Sequence, residues 1–103
     1  MTQYIDKYLD ESLRVAKLQL ELKPTFLEIA NQVLDRVLQD GTVFFCGNGG
    51  SAADSQHLAA ELVGRFKKNR KPIRSISLTT DTSIITSTGN DFSFDEIFSR
   101  QLT

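Results

Sequence analysis

The run Thr42 to Cys46, TVFFC, leads directly into Gly47-Asn48-Gly49-Gly50 and then into SAADSQHLAAELVGRF, Ser51 to Phe66. No other stretch constrains the fold as tightly. A short β-branched and aromatic run without polar alternation describes a strand buried on both faces, which is the habit of parallel sheets. The glycines then turn the chain into a segment with helical patterning. The expected unit is strand, tight turn, helix, with Ser51 at the N-cap and Asp54 as an acidic group in the favoured first turn.

Two helices are expected before this unit. Ile5, Leu9, Leu13 and Ala16 recur at helical steps between Thr2 and about Leu22. Pro24 interrupts that pattern and suits the first turn of a second helix running to about Gln39. Phe26, Ile29, Ala30, Val33, Leu34, Val37 and Leu38 form its broad apolar stripe. Asp40-Gly41 closes it in the manner of a glycine C-cap. Beyond the third helix, KKNRKP reads as a basic loop and IRSISLT, Ile73 to Thr79, as a second strand. DTSIITSTGND then predicts a short helix started by Asp81 and stopped by Gly89. FSFDEIFSRQLT opens another, with Ser93 and Glu96 spaced as a capping box.

This order predicts an α/β fold in three layers with a parallel sheet, residues 1–40 forming an N-terminal helical pair and residues 41–103 the start of the α/β domain. Two strands are few beside the five or six of a typical sheet, roughly. The chain therefore reads as the N-terminal half of a domain whose sheet continues.

Charge and composition narrow the function. A net charge of −1 gives no global field to recruit nucleic acid or an anionic membrane. No apolar run approaches the roughly 18 residues of a membrane span, and the N-terminus has no signal-peptide core. The single cysteine, Cys46, excludes an internal disulfide and a multi-cysteine zinc cage. A cytoplasmic address is the default. Cys46 itself is expected to be a packed side chain rather than a nucleophile.

The chemistry gathers around the glycine turn. Backbone N–H groups at a helix start, with no side chains at Gly49 and Gly50, welcome an anion or a sugar hydroxyl. The alternative is a plain βα turn. The pattern is neither G-x-G-x-x-G nor a P-loop, which disfavours a nucleotide. His57 and Glu61, four residues apart, share a helix face. Together they can hold one divalent metal such as zinc, or simply hydrogen-bond to each other. Asn90 and Asp91, on a loop after the second strand, offer an amide and a carboxylate suited to polyol hydroxyls, or an Asx turn behind a helix cap. The basic residues Arg65, Lys67, Lys68, Arg70, Lys71 and Arg74 read as a solvated loop, without interleaved aromatics for nucleic-acid stacking.

With CGNGGSAADSQHLAAELVGRF and TTDTSIITSTGNDFSFDEIFSRQ both in view, the chain resembles the phosphoheptose isomerases. These sugar-isomerase (SIS) domain enzymes interconvert sedoheptulose 7-phosphate and D-glycero-D-manno-heptose 7-phosphate, a step toward lipopolysaccharide, capsule and S-layer glycans. The resemblance implies a flavodoxin-like α/β/α sandwich with an added N-terminal helical pair, assembled as a homotetramer with active sites between subunits. It implies substrate contacts at Asn48, Gly49, Gly50, Ser51, Asn90 and Asp91, and zinc ligands that include His57 and Glu61. Glu61 would also touch substrate and serve as catalytic acid/base. Family members carry a further half-domain with a phosphate loop, the remaining metal ligands and a second acid/base, so a chain ending at Thr103 is expected to be inactive and to fold poorly alone. Two other readings stay open. The initiator-associating protein that binds DnaA, a non-catalytic SIS scaffold, resembles this sequence around the glycine turn and His57, but lacks a carboxylate at the Glu61 position and the GND glycine. A SIS regulator that senses a sugar phosphate is the third.

Overall fold

In a computed structural model describing residues 1–103, the chain divides into two compact units, Met1–Asp35 and Arg36–Thr103. The first unit is helical. Helix α1 spans Thr2–Leu18, a single 3-10 turn covers Gln19–Leu22, and α2 begins at Lys23 and runs to Leu38, across the unit boundary. The expected break near Pro24 is milder than a loop. Leu18, Gln19 and Lys23 all keep right-handed helical dihedrals, and Pro24 sits in the first turn of α2, where its missing N–H costs nothing. Neither helix buries a residue in this chain. The apolar stripes read from the sequence are present as exposed surface, including Ile5, Leu9, Leu13, Phe26, Ile29 and Leu34.

The second unit opens with the end of α2. Asp40, not Gly41, takes the left-handed backbone, with φ +58°. Its amide donates to the Val37 carbonyl at 3.1 Å, and the Gly41 amide reaches back to Arg36 O at 2.8 Å. This is the double bond pattern of a Schellman closure. A Cβ at Gly41 would lie 2.7 Å from that same Arg36 oxygen. Glycine is therefore needed for close approach, while aspartate tolerates the unusual φ.

Strands β1 (Val43–Phe45) and β2 (Ser75–Ser77) pair in parallel, with Val43 opposite Ser75, Phe44 opposite Ile76 and Phe45 opposite Ser77. Both are shorter than their sequence signals, and the expectation of a first strand buried on both faces is not met in this chain. Phe44 and Ile76, in register and so on one face, remain 45% and 51% exposed. Their neighbours on the other face are half-buried or buried. Helix α3 (Gly50–Val63) packs against both strands as the crossover of a βαβ unit. The core beneath combines small side chains, Ser55, Ala59, Ser77 and Thr88, with two larger aliphatic ones, Leu78 and Ile97, all buried.

Helix α4 (Thr82–Asp91) starts as expected, with the Asp81 carboxylate accepting from the Ile84 amide at 2.9 Å. It does not stop at Gly89. It runs on to Asp91, and a Cβ at Gly89 would meet only Ile97 Cγ2 at an ordinary 3.7 Å. The last segment is also not one helix. It forms two 3-10 turns, Phe94–Glu96 and Ser99–Gln101. Ser93 makes no side-chain cap, so the capping box is unformed; only its carbonyl is used, by the Glu96 amide at 3.2 Å. Gln101 ties this segment to the residue that follows β2 by donating to Leu78 O at 3.0 Å, and within the segment it donates to Ile97 O at 2.8 Å.

Candidate functional site

The glycine turn joins the carboxyl end of β1 to α3. Gly49 is the N-cap, at φ +58° and ψ −125°, a conformation open in practice only to glycine. The helix starts at Gly50, which puts Ser51 inside the first turn rather than at the cap. Ser51 Oγ caps nothing, and Asp54 lies beyond the first turn, exposed. The physical reason is that a glycine in a strained turn already sets the entry angle, so no side-chain acceptor is required. The amides of Ser51 and Ala52 are taken by the carbonyls of Asn48 (3.0 Å) and Gly49 (3.1 Å). The amides of Gly49 and Gly50 have no acceptor within the chain, and nothing stands within 4 Å of a Cβ built on either residue. Gly47 is different, because a Cβ there would meet Ser51 main-chain atoms at 2.7 Å. It is a packing glycine, whereas Gly49 and Gly50 leave room above the turn.

The turn is tied to the second strand by hydroxyls. Ser77 Oγ and Thr79 Oγ1 are 2.6 Å apart, and Thr79 Oγ1 donates to Ala52 O at 3.2 Å. Buried Ser55 donates to Ser51 O at 2.7 Å. Cys46, expected to be packed, is exposed at the end of β1.

Two turns along α3, His57 Nε2 lies 3.2 Å from Glu61 Oε1. The imidazole is 73% exposed and the carboxylate side chain 29%. Glu61 Oε2 is shielded from solvent and has no hydrogen-bond partner, an arrangement that carries a desolvation cost unless something binds there. A tetrahedral zinc with bonds of about 2.0–2.1 Å holds its donors about 3.3 Å apart, so the His57–Glu61 spacing suits two ligands of one ion. No group of three or more histidine, cysteine, aspartate or glutamate side chains converges in this chain. His57 and Glu61 can supply two donors to a divalent metal, and the same spacing is that of a hydrogen bond between them.

Asn90 and Asp91 are the last residues of α4 rather than part of a loop, because the helix passes through Gly89. Both are exposed, and Asn90 Nδ2 donates to Asp91 Oδ1 at 2.9 Å. No hydrogen bond joins them to the glycine turn or to the His57–Glu61 pair. Arg70 departs from the solvated run expected around it. It is half-buried and donates to the carbonyls of Glu61 and Leu62, both at 2.7 Å. Nothing in the run singles Arg70 out from Arg65 and Arg74, although a guanidinium is the side chain that can bridge two acceptors. A surface groove of about 460 Å³ lies along α1, lined by residues between Gln3 and Arg14, and shares none with α3.

The SIS domain family model matches residues 3–103. A phosphoheptose isomerase of Aquifex aeolicus is 50% identical over 102 residues, covering 91% of this chain and 53% of that protein. One from Campylobacter concisus is 58% identical over 76 residues, covering 73% and 40% respectively. Among solved structures, the phosphoheptose isomerase of Neisseria gonorrhoeae matches with a TM-score of 0.86 and 37% identity, over 98% of this chain and 52% of that one. The Francisella tularensis enzyme matches with a TM-score of 0.88 and 30% identity, over 97% and 53%. The chain thus spans about half the length of the relatives it matches. With its glycine turn, His57–Glu61 pair and parallel βαβ unit, the chain belongs to the SIS-domain family, in its phosphoheptose isomerase group.

Proposed function

We propose that the protein carrying this chain is an aldose–ketose isomerase that interconverts sedoheptulose 7-phosphate and D-glycero-D-manno-heptose 7-phosphate, feeding heptose-containing glycans. The observation that carries this reading is the Glu61 carboxylate. One oxygen contacts His57, while the other is withdrawn from water and unpartnered, as a proton acceptor awaiting a carbon acid would be.

In this mechanism the open amides of Gly49 and Gly50, the Ser51 hydroxyl and the Asn48 side chain hold the sugar's oxygens, and Asn90 and Asp91 hold further hydroxyls. Glu61 Oε2 removes a proton from C1 of the ketose, and the electron pair moves into an enediol. Glu61 then returns the proton to C2, while a second group carries the hydroxyl proton between O1 and O2. A divalent metal such as zinc, held in part by His57 and Glu61, supplies Lewis acidity toward the sugar carbonyl when bound. The wider reading has the chain contributing to a flavodoxin-like three-layer domain in a cytoplasmic homotetramer. The exposed apolar stripes of α1 and α2 support that assembly.

The test is an isomerase assay of the complete gene product with sedoheptulose 7-phosphate. Conversion to the aldose supports the enzyme. Binding without conversion favours a sugar-phosphate sensor, and neither binding nor turnover favours a protein-binding scaffold.

A further inference from the structure

The two ends of α3 are secured by different means. At its carboxyl end Gly64 does not adopt the left-handed cap, having φ −82° and ψ −110°, and its amide satisfies only Ala60 O at 2.8 Å. The carbonyl of Glu61 would then be orphaned and that of Leu62 left with one main-chain donor. Arg70 folds back to fill that role. Its Nη2 donates to Glu61 O at 2.7 Å and its Nη1 to Leu62 O at 2.7 Å, while Nη1 also reaches Lys71 O at 3.1 Å. The Ile73 amide adds a second bond to Leu62 O at 3.0 Å. The half-buried guanidinium thus sits at the negative end of the helix dipole. It grips the main chain of the very residue whose carboxylate faces His57.

We propose that Arg70 is a positioning residue for Glu61, fixing the last turn of α3 so that the carboxylate is aimed at the substrate carbon. This rests on the reading of Glu61 as the acid/base. A helical side chain inherits its direction from its own backbone, and a carboxylate displaced by about 1 Å can lose on the order of a hundredfold in rate. Lysine cannot replace the fork, since a single ammonium does not hold two successive carbonyls in one plane.

Arg70→Ala, Arg70→Lys and Glu61→Gln are to be compared in the complete protein by steady-state kinetics, far-UV circular dichroism and thermal melting. In Arg70→Ala, kcat is expected to fall about 10- to 100-fold while KM for the sugar phosphate stays nearly constant. Added methylguanidinium should restore part of kcat, and Arg70→Lys should recover only part. Unchanged kcat with a lowered melting temperature would reduce Arg70 to a structural cap and overturn the proposal. So would a raised KM with kcat intact, which would make it a substrate ligand. If Arg70→Ala does not fold, Arg70→Lys decides, because wild-type kcat in that variant contradicts a need for the fork. Glu61→Gln separates the two readings. An inactive Glu61→Gln beside a fully active Arg70→Ala overturns positioning alone, whereas a fully active Glu61→Gln removes the acid/base on which positioning rests.

Discussion

Helices α3 and α4 follow the two strands at the same edge of the sheet, and their first turns are capped differently. Helix α4 is closed by its own sequence, with the Asp81 carboxylate occupying the Ile84 amide. Helix α3 begins on a glycine at φ +58°, makes no side-chain cap, and leaves the Gly49 and Gly50 amides unused beneath open space. Both starts keep amides without an acceptor in the chain, Thr82 and Ser83 in α4 and Gly49 and Gly50 in α3, but only in α3 do they stand on glycines with open space above them. The difference is a side-chain cap at one helix start and an uncovered glycine backbone at the other, where the proposed mechanism seats the sugar.

The contrast can be broken by substitution. The largest effect is expected from Gly49→Ala. There is room for the methyl group, but the backbone conformation is one that alanine rarely adopts. Relaxation of the turn should cost about 1–3 kcal/mol in stability and abolish isomerisation, checked by denaturant unfolding and the sugar-phosphate assay. Wild-type activity in that variant would show that the turn's shape is not used. Next comes Asp81→Ala, which deletes a formed cap and should cost about 1 kcal/mol with turnover kept. The smallest stability change is expected from Ser51→Ala, within about 0.5 kcal/mol, because its hydroxyl caps nothing. Its effect should appear instead as a raised KM. Equal destabilisation by Asp81→Ala and Ser51→Ala would erase the distinction between the two helices.

Much of this was legible in the residues. The apolar run, the glycines and the helical spacing of His57 and Glu61 defined the βαβ unit and its candidate chemistry, since each signal is local. What was misread depended on neighbours. Ser51 has the better capping propensity, yet Gly49 takes the cap, because the turn needs a backbone only glycine can adopt. Gly89 looked like a stop, but its one near neighbour, Ile97, leaves ordinary room and the helix continues through it. Asn90 and Asp91 consequently sit on a helix end. Phe44 and Ile76 carry the composition of a buried sheet, and their exposure here reflects a face that nothing in this chain covers. Arg70 was invisible within a basic run because its role lies in two carbonyls eight and nine positions earlier.

Glu61 carries the proposed chemistry. Glu61→Gln in the complete protein keeps the size of the side chain and removes its ability to accept a proton. The decisive measurement is deuterium exchange at C1 of sedoheptulose 7-phosphate in heavy water, followed by NMR beside a binding titration with the same sugar. Loss of exchange with binding largely kept is the predicted result. Exchange at the wild-type rate would mean that another group takes the C1 proton, and would contradict the central assignment.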